Sequence, residues 1–180
     1  MGIGFGGDEA EEDEALGTLG IGFLIALSAT YLLLTLHFNT HWQPLLVLSV
    51  IPFSCIGAVW GHILLGYDLS IVSLIGVVAM TGVVVNDSLV LVTAYNRQRN
   101  IAEAPLTAIL NAACQRFRPI LLTTLTTTLG LIPLYLGGGT MWEPMAIAIM
   151  IGLLFGTTIT LLFIPVLYSL LYRKKQTILP

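Results

Sequence analysis

Five apolar runs, each nearly free of charge, decide the fold class of this 180-residue chain. They lie at about residues 16–36, 45–65, 69–95, 120–136 and 145–172. Each is long enough to cross the ~30 Å hydrocarbon core of a bilayer as a helix. Lipid offers backbone groups no water, so a spanning segment must be a helix or part of a closed barrel. Strand-like alternation is absent, and the runs far exceed the ~9–11 residues of a barrel strand, so helices are predicted. Composition agrees. Only 9% of the residues are charged, against about 25% in an ordinary soluble domain. That excludes most soluble enzymes, disordered tails and nucleic-acid binders with a basic face. The predicted fold is an all-α membrane protein of five transmembrane helices plus a short cytoplasmic interfacial helix.

Charge placement sets the predicted direction. Arg97, Arg99, Arg116 and Arg118 lie between the third and fourth runs, and Arg173, Lys174 and Lys175 follow the fifth. With five spans these two places share one side, which the positive-inside rule makes cytoplasmic. The chain is therefore read as N-out and C-in. Residues 1–15 form an acidic extracytoplasmic leader, 16–172 the membrane bundle and 173–180 a basic cytoplasmic tail. Acids before the first run argue against a cleaved signal peptide, which needs a basic start. Leu106, Ile109, Leu110, Ala113 and Phe117 recur at helical spacing behind Pro105, predicting the interfacial helix at about 104–117. Trp42 and Trp142 fall at expected interfaces. Gly137-Gly-Gly139 reads as a hinge, since no Lys-Ser/Thr follows for a phosphate cradle.

Of ten acids, Asp87 alone falls well inside a run. An ionised carboxylate there costs about 2.5–3.5 kcal/mol on insertion scales. A carboxyl able to exchange a proton in that setting is what a relay needs, while a protonated Asp bonded to a neighbouring helix is the structural alternative. Asn86 is adjacent but about 100° around the helix, so the two make different contacts. Gly76, Ala79 and Gly82 form a small-residue stripe suited to close helix packing. Thr123, Thr124, Thr126, Thr127 and Thr128 place hydroxyls in the fourth run, where threonine also serves as interhelical glue. His37, His41 and His62 fit no metal spacing, and interfacial histidines commonly contact headgroups, so no metal site is expected. Cys55 and Cys114 suggest no disulfide framework. No His-Glu-x-x-His, Gly-x-Ser-x-Gly or facing pair of intramembrane acids supports an enzyme.

From Ile51-Pro-Phe onward the sequence resembles the C-terminal membrane half of resistance–nodulation–division (RND) efflux permeases. The resemblance is carried by Gly57-Ala-Val-Trp-Gly-His62, Gly82-Val-Val-Val-Asn-Asp-Ser-Leu-Val-Leu-Val92, Arg116-Phe-Arg-Pro-Ile-Leu-Leu-Thr-Thr124 and Pro165-Val-Leu-Tyr168, in that order. Gly7-Asp-Glu-Ala-Glu-Glu12 looks like the stretch joining the porter domain to the next helix. The resemblance implies a multi-pass permease of the bacterial inner membrane that expels drugs, other small amphiphiles or metal ions. It implies inward proton flow as the drive, no cofactor and no nucleic-acid partner. It also implies a homotrimer with a periplasmic adaptor and an outer-membrane channel.

In that family paired aspartates of the first membrane half meet a lysine and a threonine of the second. By motif position Asn86 stands where the lysine would be, Thr123 matches the threonine and Arg116 matches an arginine on the proton path. Asp87 follows the lysine position, where many relatives are uncharged. A lysine–aspartate charge switch cannot operate through Asn86, so Asp87 is the hypothetical substitute. With the first membrane half and the porter domains outside this sequence, the chain is not expected to transport alone. A structural or assembly module, or a truncated gene product, is the alternative. Substrate is not legible here, because in such permeases the porter domains choose it.

Overall fold

The computed structural model describes the backbone of residues 5–99 and 105–177 and the side chains of residues 11–99 and 107–170. Glu103, the start of the expected interfacial helix at residue 104, and the side chains of Arg173, Lys174 and Lys175 lie outside the described residues. The fold is helical: α1 (Phe5–Phe38), α2 (Trp42–Leu48), α3 (Val50–Leu65), α4 (Ile71–Arg99), α5 (Pro105–Gly137) and α6 (Gly139–Thr177). Among the described residues five segments are long and apolar enough to cross a membrane, with α2 and α3 forming one of them around a break at Ser49. The acidic run Asp8 to Glu14 lies in the opening turns of α1.

The connections follow from local chemistry. Asn39 adopts a left-handed φ of 50° just past α1, the conformation that commonly ends helices. Gly66, at φ 72°, ends α3, and the Tyr67 N–H donates to the His62 carbonyl. Ser70 and Ser73 cap α4 reciprocally: the Ser73 N–H donates to Ser70 Oγ at 3.2 Å, and the Ser70 N–H to Ser73 Oγ at 3.3 Å. This is the geometry of a capping box. Between α5 and α6 the Gly138 N–H reaches the Leu134 carbonyl at 2.8 Å, and Gly139 turns the chain with a left-handed φ of 69°. The glycine run is thus a tight turn.

One expected element differs. The amphipathic segment ahead of the fourth span is the start of α5, which runs unbroken through Pro119. A proline inside a helix withholds its own N–H and crowds the carbonyl four residues back, which membrane helices tolerate by local adjustment, and α5, at 33 residues, is about 50 Å long at ~1.5 Å per residue. That exceeds the hydrocarbon thickness by several turns, so one helix serves both the span and its polar approach.

Helix α6 is the central element, packing against α3, α4 and α5. Close approach rests on two Gly-x-x-x-Gly pairs, Gly57/Gly61 on α3 and Gly152/Gly156 on α6. Gly57 faces Phe155, Gly61 faces Ile151, Gly152 faces Met80 and Ala58, and Gly156 faces Ser54 and Val84. A Cβ at Gly61 would come within 2.8 Å of Ile151 Cδ1, closer than packed carbons sit. In lipid, where apolar contact between helices gives no solvent advantage, such backbone proximity supplies the dispersion that holds helices together. By contrast, the most apolar window of α1 is 6% buried and that of α5 is 11% buried, against 44–50% for the other spans.

Candidate functional site

Helix phase separates the residues that the sequence groups together. On α4, Met80 and Val84 touch α6 at Gly152 and Gly156. Asp87 continues the same stripe, seven residues beyond Met80 and three beyond Val84, and is buried at 4% exposure. Its Oδ2 is enclosed and has no hydrogen-bond partner among the described residues, and neither has Ser88 Oγ. Asn86, about 100° away on the same helix, is exposed. It lines a groove of about 400 Å³ between α4 and α1, with Phe23, Thr30, Leu34 and Gly82 among its walls.

At the level of Asp87 the bundle carries a buried polar layer. Helices α4 and α6 advance together in four-residue steps: Gly76 meets Ala148, Met80 meets Gly152 and Val84 meets Gly156. One more step brings Asp87 and Ser88 level with Thr160, which is fully buried, as is Ser54 of α3. Thr157 follows Gly156 directly and shares a 2.8 Å hydrogen bond with Thr124 of α5. The hydrogens of these hydroxyls are already committed. Thr124 donates to the Ile120 carbonyl at 3.0 Å, Thr160 to the Gly156 carbonyl at 2.8 Å and Ser54 to the Val50 carbonyl at 3.2 Å. With Thr124 donating to Ile120, Thr157 is the donor in the interhelical bond. Of the hydroxyls of Ser54, Ser88, Thr124, Thr157 and Thr160, that of Ser88 keeps an uncommitted hydrogen among the described residues.

The remaining expected site residues lie elsewhere. Thr123 is exposed and donates to the Pro119 carbonyl at 3.0 Å, and Arg116 is half-buried two turns away on α5. Asn86 and Thr123 stand on uncovered surface while Asp87 faces inward, so the four expected relay residues do not form one cluster. Of the packing stripe, Gly76 meets Met145 and Ala148 of α6, whereas Ala79 and Gly82 are exposed. A Cβ added at Gly82 would have nothing within 4 Å.

A second polar cluster occupies the end of the bundle away from the arginines. His62 is buried rather than interfacial. Its Nδ1 lies 2.9 Å from the Ala58 carbonyl and its Nε2 lies 2.9 Å from Ser73 Oγ. The carbonyl can only accept, so Nδ1 carries the proton and Nε2 accepts from Ser73. Tyr67 donates to Glu143 Oε2 at 2.8 Å, tying the α3–α4 turn to α6, and that bond pushes the Tyr67 phenol up to about 12. The sequence shows only that His62 lies near the end of a run, which is why it reads as interfacial. The available signal for its partner is Ser73, eleven residues on, across the Gly66 turn.

Comparison with known proteins gives the arrangement its context. The sequence matches the AcrB/AcrD/AcrF family over residues 1–172. It is 33% identical, over 97% of its length, to the swarming motility protein SwrC of Bacillus subtilis (strain 168), of which it covers 17%. Two crystal forms of a heavy metal efflux pump share the fold. Form II has a TM-score of 0.80 at 28% identity, covering 91% of this chain and 16% of that one. Form I has a TM-score of 0.75 at 30% identity, covering 88% and 16%. The chain thus spans about one-sixth of the length of these proteins.

Proposed function

Because the chain belongs to the AcrB/AcrD/AcrF family of RND efflux transporters, we propose that it is the C-terminal membrane portion of a proton-coupled exporter rather than an enzyme. It works in the bacterial inner membrane beside a first membrane half and porter domains. The observation that carries this reading is the family match over residues 1–172 joined to the exposure of Asn86 and Thr123. In a bundle whose α6 face is sealed by glycine contacts, the carboxamide of Asn86, left on bare α4 surface, needs a protein partner, since lipid cannot satisfy it, whereas the Thr123 hydroxyl already donates to the Pro119 carbonyl. The first half supplies that partner, and transporter sites form between such repeats.

Asn86 shapes the mechanism. A carboxamide can donate a hydrogen bond to a carboxylate of the facing half but cannot neutralise it. Protons arriving at those acids are therefore not traded against an ammonium on α4. Thr123 presents its hydroxyl oxygen to the same seam, and Arg116 supplies positive charge toward the arginine-rich end. Drugs, small amphiphiles or metal ions are the cargo classes. Trimers joined to an adaptor and an outer-membrane channel are the assembly.

The test is co-expression with a complementary first half carrying the porter domains, followed by dye efflux with and without a protonophore. Efflux that needs both parts and collapses with the protonophore is the expected result. Efflux that is insensitive to the protonophore overturns proton coupling. Stable assembly without any efflux favours a structural module.

A further inference from the structure

The proposed efflux function uses neither His62 nor the serines beside it, yet they form a continuous hydrogen-bonded chain at the end of the bundle away from the arginines. His62, of α3, is 2% exposed, and Ser73, of α4, is fully buried. Ser70, in the turn that opens α4, is partly exposed. The links are short: His62 Nε2 lies 2.9 Å from Ser73 Oγ, and Ser73 Oγ lies 3.1 Å from Ser70 Oγ. The fixed end sets the direction of every hydrogen. The Ala58 carbonyl, 2.9 Å from Nδ1, can only accept, so Nε2 is bare and takes the Ser73 hydrogen. With that hydrogen committed, Ser70 is the donor to Ser73. The chain is thus aligned from the surface inward.

We infer that His62 is a buried proton-binding site, loaded through Ser70 and Ser73 from the side of the membrane that bears the α3–α4 turn. A hydronium at the turn gives a proton to Ser70 Oγ as the Ser70 hydrogen passes to Ser73 Oγ and the Ser73 hydrogen passes to Nε2. Three bonds to hydrogen form and three break, the hydronium becomes water, and the imidazole gains one positive charge. No hydrogen bond within the protein is lost. Nε2–H then donates to Ser73, Ser73 to Ser70, and Ser70 to water. The oxygens have room for this reversal. With the Ser70 N–H on Ser73 Oγ and the Ser73 N–H on Ser70 Oγ, each oxygen then accepts two hydrogens and donates one. The reciprocal cap of α4 is the same in both states. Beyond Nδ1 lies only the Ala58 carbonyl, an acceptor with no hydrogen of its own to pass on. The chain therefore ends at His62, which stores a proton and returns it by the same path. The titratable groups at this end, among the described residues, are Tyr67 and Asp68 of the turn, Glu143 of α6, Tyr135 of α5, and Glu11 and Glu14 of α1. None of them is cationic, so none repels the added charge. The inference goes beyond the transport reading and does not rest on it, because proton binding at equilibrium needs neither cargo nor a first membrane half.

The experiment is nitrogen-15 magnetic resonance of the full chain in lipid nanodiscs, with ring-labelled histidine in a His37→Gln, His41→Gln background that leaves His62 as the one histidine. Above neutral pH the expected spectrum shows a hydrogen on Nδ1 and a bare Nε2. On acidification Nε2 gains a hydrogen reversibly, with helix content unchanged by circular dichroism. Ser70→Ala leaves the His62–Ser73 bond in place but removes the oxygen that takes the Ser73 hydrogen. Half-protonation then needs about tenfold more acid, and Ser70→Thr restores the wild-type response. A role for Ser70 as a helix cap alone predicts a less stable Ser70→Ala variant that protonates at the same pH as wild type, which overturns the inference. Should Ser70→Ala fail to fold, the wild-type spectrum still decides. A hydrogen on Nε2 instead of Nδ1 overturns the inference. So does an Nε2 that stays bare down to about pH 4, more than two units below an ordinary histidine, or that protonates only as helix is lost. Absence of efflux beside a complementary first half would instead refute the transport reading and leave this site standing.

Discussion

Replacing Gly156 and Gly82 with alanine makes the same chemical change on two faces of the bundle, and the structure gives the changes opposite signs. A Cβ at Gly156 would overlap Ser54 Oγ and stand 3.0 Å from Ser54 Cβ and 3.1 Å from Val84 Cγ2. The Ser54 hydroxyl could swing aside only by leaving the Val50 carbonyl, at about 1 kcal/mol. The carbon contacts behind it cannot swing, because they are fixed to α3 and α4; overpacking of this kind costs about 1–3 kcal/mol. Against these stands the better helix propensity of alanine, about 1 kcal/mol. Gly156→Ala is therefore destabilising by about 1–3 kcal/mol. At Gly82 a Cβ meets nothing within 4 Å, so only the propensity gain of about 1 kcal/mol applies. Equilibrium unfolding of the two variants in mixed micelles, followed by circular dichroism, reads the difference. Equal stabilities, or a Gly82→Ala variant less stable than Gly156→Ala, would refute the packing of α6 against α3 and α4.

Thr157→Val breaks the hydroxyl bridge between α5 and α6 and is expected to cost about 0.6–1.7 kcal/mol, the range measured for interhelical bonds in membranes, in the same unfolding assay. His62→Ala removes a buried ring bonded at both nitrogens and leaves Ser73 without its acceptor, so a loss of about 2–4 kcal/mol is expected. A loss below about 1 kcal/mol would contradict the burial. Tyr67 is raised to about 12 from 10.0 by its bond to Glu143. A phenol held protonated in the fold contributes its stabilisation fully below pH 10 and loses it as pH rises through 10 toward 12. Ultraviolet difference titration of wild type against Tyr67→Phe gives the midpoint, and Glu143→Gln should return it toward 10.

The spans were legible because apolar length is a local property of sequence, and Ser70, Gly66 and Gly138 mark their ends for equally local reasons. Helix continuity was less so. A polar, arginine-bearing approach and Pro119 both suggest a break before the fourth span, yet α5 continues through the proline, as membrane helices can by local adjustment. Packing was legible in part. Gly76 meets α6, but the dominant Gly57/Gly61 and Gly152/Gly156 pairs carry the same four-residue spacing, and spacing alone does not rank one stripe above another. The site depended on helix phase. One sequence shows that Asn86 and Asp87 point about 100° apart, but which of them meets α6 depends on which glycines α6 brings close. For the same reason Thr124 cannot be told from Thr123 until Thr157 is placed opposite it.

Asn86 and Thr123 stand on exposed surface while Asp87 is buried inside the bundle, and the proposed relay face depends on that division. Single cysteines at positions 86, 123 and 87, in a background with Cys55 and Cys114 replaced by alanine, can be cross-linked to the co-expressed first half with a short thiol-to-thiol reagent. Cross-links from 86 and 123 but none from 87 are predicted. A cross-link from 87 with none from 86 would contradict the orientation of α4.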